Sequence, residues 1–287
     1  MKNAIKLVIS VLVLFLNFQT QAQNKEIPLE KSLLWEVSGN GLKKSSFIYG
    51  TIHMICAADF FITDQTKKAL ESSGQLVLEI NLTDPKEIDA MQKAVMGKEG
   101  LSRQLTSEEL SRLSAVLNKT TGMTIAQVDN YSLVTVMSLI VAKAFGCADL
   151  KFYEMDFIEK AKEHKISVNG LETMDSQLET LKNAYTNSEM IRMLEESNNV
   201  DMKKFVTLYK EEDIAALFES TTDPKLMNTK TQEFMLDKRN KNWVAKLPTL
   251  MQQQRVFVAV GAAHLAGKSG LINLLKEAGY VVKPVLK

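Results

Sequence analysis

Near the end of the chain an apolar, β-branched run, Val256-Phe257-Val258-Ala259-Val260, leads into Gly261-Ala262-Ala263-His264. Apolar on both faces, such a run reads as a strand buried inside a sheet. Glycine then lets the chain turn without a Cβ clash. The same device stands near the start, where Ser46-Phe47-Ile48-Tyr49 leads into Gly50-Thr51-Ile52-His53. The sequence holds three histidines, and two of them occupy the last position of such a Gly-x-x-His motif. Ligands of open α/β sheets bind beyond the carboxyl ends of the strands, and both histidines are expected there. Either one alone reads as a loop histidine with local hydrogen bonds. The matched pair points to a shared site, which requires their strands to be neighbours or nearly so.

The remaining strand signals are short. Leu33–Val37 and Ser46–Tyr49, separated by turn formers at Ser38–Lys44, read as a β-hairpin. Thr63 caps a helix that Gly74 ends, and Leu76–Leu78 is a second buried strand, followed by Glu79. A carboxylate beside an apolar strand is costly unless it is paired or metal-bound, so Glu79 is a candidate for the site. Ile166–Leu171 is a third strand with Glu172 at its end. Between about 85 and 165 the pattern is helical, without strand signals. It includes the capping box of Thr106 with Glu109, a buried helix over Tyr131–Phe145 and a charged helix over Glu154–His164. Helices follow at Asp175–Asn183, Glu189–Ser197, Asp201–Tyr209 and Asp213–Glu219. Asp223-Pro224 is expected to open a long one through about Asn240, and the stretch Glu233–Trp243 runs into a helix ending near Gln254. The fold class is α/β, or α+β: a mixed central sheet of about five or six strands with helices packed on it. The helical section at 85–165 is read as an insertion covering the sheet.

Residues 1–22 read as a secretory signal peptide: Lys2 and Lys6, an apolar core from Leu7 to Phe18, and cleavage after Thr20-Gln21-Ala22. Residues 23–287 then form a single domain in a periplasmic or secreted protein. The full chain has 35 basic and 34 acidic residues, and losing Lys2 and Lys6 leaves a net charge of −1. That balance speaks against a nucleic-acid partner. No later stretch is long and apolar enough to span a bilayer. Cys56 and Cys147 are either disulfide-bonded, which an oxidising compartment permits, or two buried thiols. His164 reads as a cation at a helix end.

Two imidazoles and a carboxylate recur as ligands of catalytic divalent ions. His53, His264 and Glu79 supply that set, and a further carboxylate, Glu172, could act as general base. The residues in order are Leu34-Trp35, Tyr49-Gly50-Thr51-Ile52-His53, Leu78-Glu79, Gly170-Leu171-Glu172-Thr173 with Gln177-Leu178, Arg239-Asn240 with Trp243, and Val260-Gly261-Ala262-Ala263-His264-Leu265 with Gly267. This succession resembles the TraB/GumN family, which also takes in the pheromone-shutdown protein PrgY and the Tiki ectodomains.

The resemblance covers nearly all of the chain after residue 22. It implies a metal-dependent hydrolase, a peptidase acting on a peptide or protein substrate. The divalent metal (Mn, Co or Zn) is then held by His53, His264 and Glu79, with Glu172, Arg239 and Asn240 in catalytic or supporting roles. Arg239 is expected to hold a substrate carboxylate or a developing oxyanion. The sequence departs from the family at Tyr153-Glu154-Met155-Asp156, where Glu154 stands in place of an expected glycine. A peptide-binding or sequestering protein with the same pocket and no chemistry is the alternative.

Overall fold

The computed structural model describes residues 29–197 and 202–287. The proposed signal peptide and Asp201, the expected start of a helix, lie outside the described residues.

Six strands form the main sheet: β1 (Leu34–Gly39), β2 (Ser46–Thr51), β4 (Gln75–Ile80), β6 (Ser167–Glu172), β7 (Val256–Gly261) and β8 (Tyr280–Pro284), in the order β6-β4-β7-β2-β1-β8. Strand β7 sits between β4 and β2 and is parallel to both, and β6 extends the parallel half beyond β4. All six β7 residues are buried, as expected of a strand with helices on both sides. β1 and β2 form the hairpin, and β8 adds antiparallel to β1. At the hairpin turn, Gly39, Asn40 and Gly41 all have left-handed backbone, where glycine and asparagine are the tolerated residues. The two Gly-x-x-His strands are therefore direct neighbours, with Thr51 opposite Gly261. Close packing requires glycine at the first motif, because a Cβ on Gly50 would lie 3.0 Å from the Cα of Ala262.

One core lines the sheet and includes Ile48, Tyr49, Leu76, Phe257, Val258 and Trp243. The helices Asp64–Glu71 and Tyr153–Glu163 pack together against the parallel strands. A second core joins the helices Ser107–Thr121, Leu133–Ala144 and Asn187–Ser197 through Leu113, Leu117, Val136, Ile140 and Ile191. The 85–165 section thus divides. Most of it builds this second core with a later helix, and only its last helix covers the sheet.

Two expectations are corrected. The 85–165 section does contain a strand, β5 (Leu150–Phe152), antiparallel to β3 (Met54–Cys56). Three residues are too few to carry a period, and the pairing depends on a distant segment. Second, no long helix opens at Asp223. Its carboxylate instead accepts from the Lys225 N–H in a local turn, and the helical run begins at Thr229, where Asn228 caps the N–H of Thr231. That run passes through a π-helical turn at Glu233–Asp237 into the helix Lys238–Gln253. Cys56 and Cys147 are bonded, which ties β3 to the segment leading into β5. Among the described residues no helix is long and apolar enough to cross a membrane.

Candidate active site at the carboxyl edge of the sheet

Four successive parallel strands, β6, β4, β7 and β2, end side by side. Their ends carry Glu172, Glu79, the Gly261–His264 turn, and Thr51 followed by His53. All four sequence candidates from strand ends meet at this edge. Arg239 and Asn240 reach it from the first turn of Lys238–Gln253, directly after the π-helical turn, a feature common at functional sites.

His264 lies on a single 3-10 turn, with its side chain only 5% exposed. The amide of Asn240 donates to the carbonyls of His264 (3.2 Å) and Ser269 (2.8 Å), so its oxygen faces the ring. That oxygen lies 2.6 Å from Nδ1. Nδ1 therefore carries the proton and Nε2 presents a lone pair. The ring is packed against Trp243, with centroids 4.4 Å apart. Burial lowers its pKa to about 3, reinforced by Arg239 and His53 and opposed by Glu79. His264 is neutral at any physiological pH.

His53 is different. Its backbone is left-handed (φ 58°) and its side chain is 54% exposed. Nδ1 lies 2.8 Å from Oε1 of Glu154. Burial is the largest single influence and opposes a charge here, but the groups around the ring outweigh it. The hydrogen bond and charge of Glu154, with Glu79 behind it, raise the pKa from 6.5 to about 9.

Between the rings lies Glu79. Its Oε1 accepts from the Gly261 N–H at 2.8 Å and stands 4.0 Å from the Nε2 atoms of both His53 and His264. Its Oε2 accepts from Arg239 at 2.5 Å and from Gln177 at 3.1 Å. Burial favours the neutral acid, but Arg239, the charged His53 and the Gly261 N–H outweigh it and hold the carboxyl well below the usual range.

Glu172 sits behind this group. It accepts from Arg239, from Gln177 at 2.7 Å and from the Trp243 indole at 3.3 Å, and its bonds all run to these supports rather than to an imidazole. Arg239 is likewise turned inward. Its guanidinium bridges Glu79 and Glu172, donates to the Met235 carbonyl and reaches Nε2 of His264 at 3.2 Å. The expected free cation for a substrate anion is thus a buried internal clamp, since two carboxylates already claim it.

The donor chemistry suits a divalent cation. Two imidazole nitrogens and one carboxylate oxygen face a common space, and each donor is steadied through its other atom, as ligand residues usually are. Glycine at 261 keeps that space open: a Cβ there would lie 3.1 Å from His53 Nε2, 3.5 Å from Glu79 Oε1 and 3.6 Å from His264 Cδ2. Glu79, Glu154 and Glu172 against Arg239 leave an excess of negative charge when both rings are neutral. Their present spacing is nevertheless wide, and among the described residues no group of three His, Cys, Asp or Glu is closed around an ion-sized position.

Glu154 was not among the sequence candidates. It stands in the first turn of a helix, where an acidic residue is ordinary. The sole sequence signal was its position in place of the family's glycine.

These features define an α/β protein with a histidine- and carboxylate-lined site at the carboxyl edge of a mixed sheet. The family model described as the TraB/PrgY/gumN family matches residues 33–284, and the chain belongs to that family. A protein of Nematostella vectensis described as a metalloprotease TIKI homolog is similar at 22% identity, over 97% of this chain and 74% of the relative. No solved structure matches the chain significantly.

Proposed function

We propose that this protein is an extracytoplasmic hydrolase, a metal-dependent peptidase, working at the edge where β6, β4, β7 and β2 end. The observation that carries the reading is the pair of unlike imidazoles facing one carboxylate oxygen, with one ring buried and neutral and the other open to solvent. Such convergence of perturbed groups marks functional sites more often than structural ones. The name of the Nematostella relative supports the reaction class. The leader-like first 22 residues and the Cys56–Cys147 bond support the compartment.

The residues that would hold the cation (Mn, Co or Zn) are His53 and His264 through Nε2 and Glu79 through Oε1. When bound, it would supply Lewis acidity to a water or a carbonyl oxygen. The chain's own residues prepare that position. Asn240 keeps the proton of His264 on Nδ1 and Glu154 does the same for His53. Arg239 and Gln177 pin Oε2 of Glu79 and leave Oε1 turned to the rings. Glu172 holds Arg239 in place, a positioning role rather than that of a base. Trp243 and the buried His264 close the inner wall against water, so a peptide has access from the His53 side.

Peptide-library cleavage by chelated and metal-supplemented protein tests the reading. Cleavage that is restored by one of the three metals and lost in Glu79→Gln is the expected result. A protein that binds library peptides without cutting them, whatever metal is added, establishes the sequestering alternative instead.

A further inference from the structure

We propose that Glu154, with Thr51, is a positioning residue of this site: the pair holds the Nδ1–H edge and the direction of the His53 ring so that Nε2 faces Glu79 and the solvent. The inference deepens the hydrolase reading and concerns the same site.

The bonds form a closed circuit. Oε1 of Glu154 accepts from the Thr51 hydroxyl at 2.8 Å and from Nδ1 of His53 at 2.8 Å, and the Thr51 oxygen accepts from the His53 backbone N–H at 3.3 Å. An ionised carboxylate only accepts, so Nδ1 must carry a proton, and Nε2 is the atom left toward Glu79. The arrangement matches the one around the other ring, where Asn240 plays the part of Glu154. Both imidazoles are therefore held by their Nδ1 edges and offer their Nε2 edges to the same carboxylate.

Glu154 is delivered to this position by construction. It occupies the first turn of Tyr153–Glu163, where the helix dipole favours a carboxylate. The residue before it, Tyr153, donates its N–H to the His53 carbonyl at 2.9 Å. Next to that bond Met54 pairs with Phe152, and Cys56 is bonded to Cys147. A backbone hydrogen bond, a short ladder and a covalent link thus clamp the His53 segment to the Glu154 segment. The side chain of Glu154 is 16% exposed, so the carboxylate half of the pair is shielded although the His53 ring is half open to solvent. The left-handed backbone of His53 fits the same purpose. A non-glycine residue there is strained and persists only where its surroundings fix it.

With three histidines in the chain, the imidazole nitrogens can be read individually by long-range proton–nitrogen NMR of chelated protein, with His53 assigned by its absence in His53→Asn. In Glu154→Ala the Nδ1 and Nε2 signals of His53 are expected to leave their wild-type positions for those of an unrestrained ring, while His264 and His164 stay put. Turnover should fall about 10- to 100-fold, the usual cost of losing such a partner. KM should change little, and Glu154→Asp should recover part of the loss. If Glu154→Ala does not fold, Thr51→Val, which cuts the circuit at its other member, must shift the same two signals. Unchanged His53 signals in the folded variant overturn the inference, even if turnover falls, and leave the hydrolase reading standing. Shifted signals in a protein that cleaves nothing uphold the inference and remove the hydrolase reading.

Discussion

Replacing Arg239 by Met leaves the chain length and most of the apolar stem in place but removes the guanidinium. In the structure that group donates to both oxygens of Glu172, to Oε2 of Glu79, to a backbone carbonyl and toward His264. The side chain is 9% exposed, so the small energies of surface ion pairs do not apply. Its loss leaves two buried carboxylates facing each other, with only the half-exposed His53 beside Glu79 as a counter-charge. Breaking a buried pair in this way costs about 3–5 kcal/mol. At about 2–4 °C per kcal/mol for a chain of this size, the melting temperature should fall by roughly 10 °C. The pH dependence gives the cause. In the wild type Glu79 has a depressed pKa, so its stabilisation is complete above the unfolded value of 4.5 and is lost as pH falls through the folded one. In the variant the same carboxyl has a raised folded pKa, so acid relieves the penalty. Urea unfolding of both proteins in chelator should therefore show a gap that is widest near neutrality and narrows toward pH 4. A gap below about 1 kcal/mol at pH 7 would refute the clamp, given the 3–5 expected. A large gap that does not change with pH would refute its electrostatic origin.

Three further outcomes follow from the same geometry. Cys147→Ser opens a covalent loop with a separation of 91 residues; it should cost about 3–5 kcal/mol in thermal or urea unfolding, and an unchanged midpoint would show that the bond constrains nothing. His53 has a folded pKa of about 9 against 6.5, so its stabilisation is complete below the lower value and lost as pH rises through the upper one. Solvent at the half-exposed ring limits the effect to about 1 kcal/mol, and melting curves from pH 6 to 10 should show this alkaline loss in wild type but not in His53→Asn. Gly261→Ala fills the space between the rings, since its Cβ would lie 3.1 Å from His53 Nε2. It should abolish calorimetric binding of Mn while leaving most secondary structure intact, and undiminished binding would place the ion elsewhere.

The twin strand-glycine-histidine motifs foretold the centre of the fold because both-face apolarity is a local property. β7 could only be an inner strand, whereas the motif glycines, read as turn formers, serve close packing instead: a Cβ on Gly50 would lie 3.0 Å from the Cα of Ala262. Glu79 was legible for a similar reason, as a charge directly after Leu76-Val77-Leu78 demands a partner. What the sequence could not show was the identity of that partner. Arg239 lies on a distant helix, and its inward turn depends on two carboxylates brought together by sheet order. Glu154 was illegible as a site residue for the same reason, since it meets His53 through the β3–β5 ladder, the Tyr153–His53 backbone bond and the disulfide. The start of the Thr229 helical run was misplaced because Asp223 and Asn228 are both good caps, and packing chose between them.

The most direct measurement is the rate at which chelated, then metal-supplemented, protein cleaves a peptide selected from the library, compared between wild type and Glu79→Gln. The site described here predicts cleavage only after metal is restored, with Glu79→Gln slower by at least the roughly 10- to 100-fold that losing even an outer partner of a ligand costs and still folded by circular dichroism. Metal-restored cleavage at the wild-type rate in Glu79→Gln would contradict it.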